Sequence, residues 1–246
     1  MNDQLLTETP SSVLAIYAHP DDAEVSCGGA LARWASEGAQ VHLLIAAQGD
    51  KGSNDPSVRA SDLVAERASE VTASAGIMGL ASVTNLGIPD GEVENTLLLR
   101  RMLVAAVRRR RPAVVLCPDP TAVFFGDAYV NHHDHRMIGW AALDAVAPAA
   151  ASRLYFPDDG EPYQVATVLM SGTQASDAWI DIASSLDAKV AALSSHRTQL
   201  GENADWAYEF LRVRAVEAGS AGSAVIGAAH KLRLAEGFRR IRLVRS

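Results

Sequence analysis

An α/β protein with a parallel sheet and covering helices is what this sequence predicts, and three observations predict it. Short apolar runs of strand length alternate with longer helical stretches four times between residues 13 and 146. Glycine, proline or a polar cluster closes nearly every run. At 246 residues and 48% hydrophobic content, the chain is long and apolar enough to bury a full core without disulfide staples.

The elements follow in order. Residues 13–18 (VLAIYA) are continuously apolar, as a strand covered on both faces must be, and residues 19–24 (HPDDAE) break the run. Gly28 and Gly29 open a helical stretch that Gly38 stops. Residues 41–46 (VHLLIA) form a second buried strand, followed by a polar, glycine-rich loop over 48–57. A long helix covers 60–78 and ends at Gly79. A short strand at 83–86 runs into the turn GIPDG, and a helix fills 96–111. Residues 113–117 (AVVLC) make the fourth strand, ended by Pro118 and Pro120; a loop reaches Asn131, and a helix covers about 133–146. Beyond 150 the rhythm changes: strands at 153–156 and 164–170, helices at 184–195 and 205–217, and a loop over the Ala/Gly/Ser stretch 218–229. No repeat or linker divides the chain, so residues 1–246 read as a single domain.

Bulk properties narrow the function. A net charge of −7 argues against a sequence-independent grip on nucleic acid. The basic run 108–111 ends a helix, where cations complement the dipole, and reads as a solvated helix end. Two cysteines, Cys27 and Cys117, are too few for a disulfide framework and fit free thiols in a reducing cytosol. Residues 1–12 lack an apolar signal core, and the Ala-rich stretch 141–151 is interrupted by Asp144 and Pro148. The expectation is a cytoplasmic protein with no membrane and no nucleic-acid partner; a homo-oligomer is left open.

Ligands of open α/β sheets bind beyond the C-terminal ends of the strands. Polar clusters lie at three such ends: 19–24, 48–54 and 117–135. The first holds His19, Asp21, Asp22 and Glu24; the last includes His132, His133, Asp134 and His135. A catalytic zinc site needs three protein ligands and one open position, and imidazole with carboxylate suits zinc, iron or cobalt. His19 and Asp22, three apart, can share an ion from a tight turn, with a third imidazole from the later cluster. Asp21 then sits beside the ion without being needed as a ligand, placed to take a proton from water that the ion acidifies. His132, one helical turn from His135, faces the same pocket and, protonated, can stabilise a developing oxyanion, with Asp134 orienting its ring. His42 and His230 stand outside any cluster.

AHPDDAE followed far downstream by His-x-Asp-His-Arg resembles the PIG-L/LmbE-like family of N-acetylglucosaminyl deacetylases. Further segments are similar to that family's: Gly49 to Gly52, Arg67 with Glu70, Leu86 to Gly91, Lys189 with His196 and Gln199, and Ala235 to Phe238. The resemblance implies a Rossmann-like three-layer αβα fold with a mostly parallel sheet, its core over about 13–150, and a C-terminal α+β extension over about 151–246 packed on it. It implies one Zn2+ per chain, with Fe2+ or Co2+ also acceptable, held by His19, Asp22 and His135. It implies Asp21 as general base, His132 as electrophile with Asp134 as its partner, and Arg67 and Asp90 as contacts to sugar hydroxyls. The reaction implied is removal of the N-acetyl group from an N-acetylglucosamine-type sugar or glycoside, giving acetate and free amine. The alternatives are an amidase on a larger sugar-thiol or natural-product conjugate, and a non-catalytic metal- or sugar-binding protein. A dinucleotide enzyme is disfavoured, because the first strand is followed by HPDDAE where phosphates require glycines. Glu24 either bonds a ligand histidine or caps the next helix, and Phe124, Phe125 and Tyr129 line a loop bordering the site.

Overall fold

Residues 13–17 are each at most 2% exposed, as their unbroken apolar character requires of a central strand. In the computed structural model, which describes residues 4–201, 205–227 and 231–243, they form β1 (Ser12–Tyr17). His230 lies outside the described residues. β2 (Gln40–Ala47) and β4 (Val114–Pro118) flank β1, both parallel to it. β3 (Ser82–Ile88) extends the sheet in parallel beyond β2, and β7 (Thr167–Ser171) beyond β4. β9 (Ala235–Arg242) then runs antiparallel to β7, and β8 (Ala178–Asp181) antiparallel to β9. The order is β3-β2-β1-β4-β7-β9-β8, so the C-terminal region continues the sheet itself. A separate two-stranded hairpin, β5 (Phe124–Phe125) with β6 (Tyr129–Val130), stands in the loop after β4.

The period of two along β1 divides the interior. Leu14 and Ile16 join a core with α3 (Leu97–Arg110) and α4 (His133–Asp144); Val13, Ala15 and Tyr17 join a core with α1 (Asp22–Ser36), α2 (Ala60–Met78) and α5 (Leu186–Ser194). Three layers result. Leu31 and Leu103, both fully buried on opposite faces, each contribute on the order of 1.5–3 kcal/mol by burial. α6 (Arg197–Leu200) and α7 (Asp205–Ile226) complete the α-helices, and among the described residues no helix is long and apolar enough to cross a membrane.

Four expectations are corrected. The first helix begins at Asp22, not at the glycine pair, and loses helical geometry at Cys27 (φ −148°). The amides of Gly29 and Ala30 donate to the Glu236 carboxylate at 2.9 and 2.8 Å. A Cβ at Gly29 would lie 2.8 Å from the Ile182 side chain, so the glycine serves close packing rather than a helix start. Arg108 is no solvated helix end: it is 4% exposed and donates to the carbonyls of Ala149, Ala150, Ser152, Tyr155, Phe156 and Gly160. Coiling around that guanidinium is why 153–156 is not a strand. Finally, the stretch expected as a loop from 218 continues α7 to Ile226, because Gly219 and Gly222 lie where a Cβ would crowd the Arg233 backbone and Trp179.

Candidate metal centre and pocket

β1 and β4 are neighbours, so the segments leaving their C-terminal ends meet. Asp21 turns the chain with a positive φ of 92°, a conformation strained for a side chain other than glycine. The turn folds Asp22 back so that its Oδ2 accepts from the His19 amide at 2.7 Å. His135 lies in the first turn of α4, its Nδ1 3.1 Å from Asn131 Oδ1, whose amide nitrogen is anchored on the Ala122 carbonyl. His135 Nε2 therefore points at His19 Nδ1 (3.2 Å) and Asp22 Oδ1 (3.1 Å), and His19 Nδ1 lies 3.5 Å from Asp22 Oδ2.

A tetrahedral zinc with bonds of about 2.0–2.1 Å holds its ligand atoms about 3.3–3.4 Å apart. The two imidazole nitrogens lie 3.2 Å apart, each faces a different oxygen of the Asp22 carboxylate at 3.1–3.5 Å, and this donor chemistry fits such an ion. His19, His132 and His135 also offer ring nitrogens within 4.8 Å of one another. The set with Asp22 includes a negative charge, which the three imidazoles lack. Burial disfavours the charge on His19, but its bond to Asp22 and the Asp22, Asp90 and Asp134 carboxylates prevail and push it up to about 9. Burial works against Asp22 too, and the two imidazoles hold it well below the usual carboxylate range. A carboxylate that keeps protons on two imidazoles is suited to a dication in their place.

Burial, and then the neighbouring Asp22, push Asp21 up to about 7, against the opposing pull of His196 and Arg67. Burial and the charge of His19 lower His132, against the opposing pull of Asp134. Its Nδ1 accepts from the Asp134 amide at 3.2 Å, which leaves the proton on Nε2. Asp134 thus meets the His132 ring through its backbone amide and not through its side chain. Its carboxylate reaches His19 Nε2 (3.1 Å) and the amides of Gly91 (2.7 Å) and Val93 (3.3 Å). Residues two apart at a helix start point in different directions, and Asp134 is turned inward.

These groups open into a cavity of about 410 Å³ whose wall also includes Arg67, Asp90, Lys51, Tyr129 and Gln199. Arg67 is not an exposed helical arginine: it is 4% exposed, bonded to Gln199, and its Nε is buried without a partner. Asp90 anchors the loop above it, accepting from the amides of Gly49 (2.9 Å) and Lys51 (3.3 Å). Gln199 was legible only as the last residue of the Lys-to-Gln similarity. Glu24 neither bonds a ligand histidine nor caps a helix: it is buried against Ser74 and His196, the latter at 3.2 Å. His133 faces Glu94 instead of the cavity, with its Nε2 3.2 Å from that carboxylate.

The PIG-L family model, described as GlcNAc-PI de-N-acetylase, matches residues 14–146. The chain is 29% identical to diacetylchitobiose deacetylase of Thermococcus kodakarensis, over 78% of this chain and 71% of that one. It is 28% identical to the 1D-myo-inositol 2-acetamido-2-deoxy-alpha-D-glucopyranoside deacetylase of Rhodococcus jostii, over 76% and 81%. The structure of N,N'-diacetylchitobiose deacetylase from Pyrococcus horikoshii, bound to its inhibitor MPG, superposes with a TM-score of 0.83 at 27% identity, over 95% of this chain and 84% of that one.

Proposed function

This chain belongs to the PIG-L family, and on that premise we propose that it is a zinc-dependent N-deacetylase of N-acetylglucosamine-type sugars or glycosides. The observation that carries this reading is a histidine–carboxylate cluster with a further, partly buried carboxylate, Asp21, left over beside it in an open cavity. A binding site alone has no use for that carboxylate.

His19, Asp22 and His135 would hold the dication, which supplies Lewis acidity toward the amide carbonyl and toward water. Asp21, poised near neutrality, takes the proton of the attacking water and returns it to the amide nitrogen as the C–N bond breaks. The Nε2–H of His132 donates to the carbonyl oxygen as negative charge develops there. Asp134 fixes the tautomer and orientation of His19. Arg67 and Asp90 face the sugar hydroxyls across the cavity. Water supplies the new oxygen, and acetate and a free amino sugar leave. The buried free thiols of Cys27 and Cys117 support a reducing, cytoplasmic setting.

The test is acetate release from a panel of N-acetylglucosaminides by the zinc-loaded protein and by Asp21→Asn. Metal-dependent release that falls at least about a hundredfold in the variant is expected, the size of a general-base contribution. Equal release by both proteins overturns Asp21 as the base. No release from protein that holds one metal overturns the deacetylase reading.

A further inference from the structure

A second cavity, of about 390 Å³, adjoins the first and shares Asp22, His135 and Tyr129 with it. Arg67, Asp90 and His132 are not among its walls. It shares Val25, Ser26, Phe125 and Arg214 with a third cavity of about 310 Å³. The three therefore follow one another, with the ligand cluster at the first junction and Arg214 at the second. Phe125 and Tyr129 face each other across the β5–β6 hairpin, ring centroids 5.9 Å apart, and give the second cavity an aromatic side.

Its charges are uneven. Asp22 is engaged by His19 and His135. Asp119, 2% exposed, accepts from the Thr121 amide (2.9 Å), the Thr121 hydroxyl (2.6 Å) and the Thr173 hydroxyl (2.6 Å), with Arg239 at 3.9 Å. Among the described residues, Arg214 lies over the Phe210 ring, 5.4 Å away, and no carboxylate pairs with it within 4 Å.

A secondary amide is trans, so its acyl group and its amine substituent leave the carbonyl in opposite directions. With the sugar on the Arg67–Asp90 side, the acyl group heads past Asp22 and His135 into the second cavity. An acetyl methyl leaves most of that volume empty. We infer that the enzyme also hydrolyses amino sugars whose N-acyl chain is longer than acetyl and ends in a carboxylate, the chain running along Phe125 and Tyr129 and the carboxylate resting on Arg214. This inference rests on the proposed deacetylase reading. The chemistry is unchanged: water oxygen bonds to the carbonyl carbon, the C–N bond breaks, the nitrogen takes the proton, and a dicarboxylic acid leaves with the free amine.

The experiment compares glucosamine bearing acetyl, butanoyl, hexanoyl, succinyl, glutaryl and adipoyl groups, with amine release by zinc-loaded wild type and Arg214→Glu. At least one carboxyacyl sugar should exceed the uncharged acyl sugar of equal length by about tenfold in kcat/KM, and Arg214→Glu should lower that ratio by at least about tenfold. Calorimetric binding of adipate to the protein as purified should weaken by a similar factor in the variant. Acetyl turned over at least ten times faster than every longer acyl group overturns the inference and leaves the deacetylase reading standing. A ratio and an adipate affinity untouched by Arg214→Glu overturn the assignment to Arg214. No amine from any compound overturns both readings together.

Discussion

Two clusters of histidine and acid lie close together under α1. His19, Asp22 and His135 open on a cavity; Glu24 and His196 are each 1% exposed and see no solvent. Both hold a histidine about 3.2 Å from a carboxylate. Residue types and spacing alone do not separate them. What does is the missing lid: the first cluster has an approach for a ligand and a spare carboxylate at its edge, whereas the second is roofed by Ser74 and the 196–199 turn. Thr198 and Gln199 of that turn also bond Glu70 and Arg67, so the sealed cluster belongs to a clamp that holds the pocket's arginine from behind.

Substitutions sharpen the contrast. His135→Ala should abolish metal-dependent turnover and leave less than one metal per chain by elemental analysis, with a melting curve close to wild type. Glu24→Ala should do the opposite, costing about 3–5 kcal/mol in urea unfolding at pH 6, below the ring's raised pKa, because it strands the buried His196 imidazolium, while the metal content of the surviving folded protein stays near one. Asp134→Asn should fall between them, lowering metal affinity about 10–100-fold by loosening His19, as read by competition with a chelator. The smallest effect is pH dependence. Burial opposes the charge on His196, but its bond to Glu24 and the charges of Glu24, Asp21 and Glu70 outweigh it and raise the ring above its ordinary value of 6.5. Its stabilisation is therefore complete below pH 6.5 and lost as pH rises through the raised value. The stability gap between wild type and His196→Gln should shrink from pH 6 to pH 9 in urea titrations; a gap that widens would contradict the assigned ion pair.

The elements legible in advance were those whose burial is written in composition. β1 and β4 are unbroken apolar runs, and β2 is nearly so apart from Gln40 and His42, because helices cover both faces of the sheet. β9 was not legible: AEGFRRIR interleaves Phe238 and Ile241 with three arginines, and it reads as a strand only once β7 and β8 stand on either side. The helix past residue 217 was hidden because Gly219 and Gly222 signal a loop in sequence and a close contact in space. At the site, the two clusters were visible because strand ends gather ligands, and the structure brings His19, Asp21, Asp22, His132 and His135 around one cavity. Asp134's partner was not visible, since sequence adjacency to His132 says nothing about the inward turn that carries its carboxylate to His19. Arg67's burial depends on the loop and on Gln199, 132 residues away, which no local pattern reports.

The carboxylate that completes α1 past its break at Cys27 comes from Glu236, 206 residues beyond Ala30. A nascent chain thus exposes His19 and Asp22 to the cell long before the strand that braces their helix has been synthesised. The inner half of α1 waits with two amides unmet, and Lys189, the other partner of Glu236 at 2.6 Å, waits with it. Whatever order the ribosome imposes, the first residues of the candidate metal site to be translated are among the last to be mechanically secured.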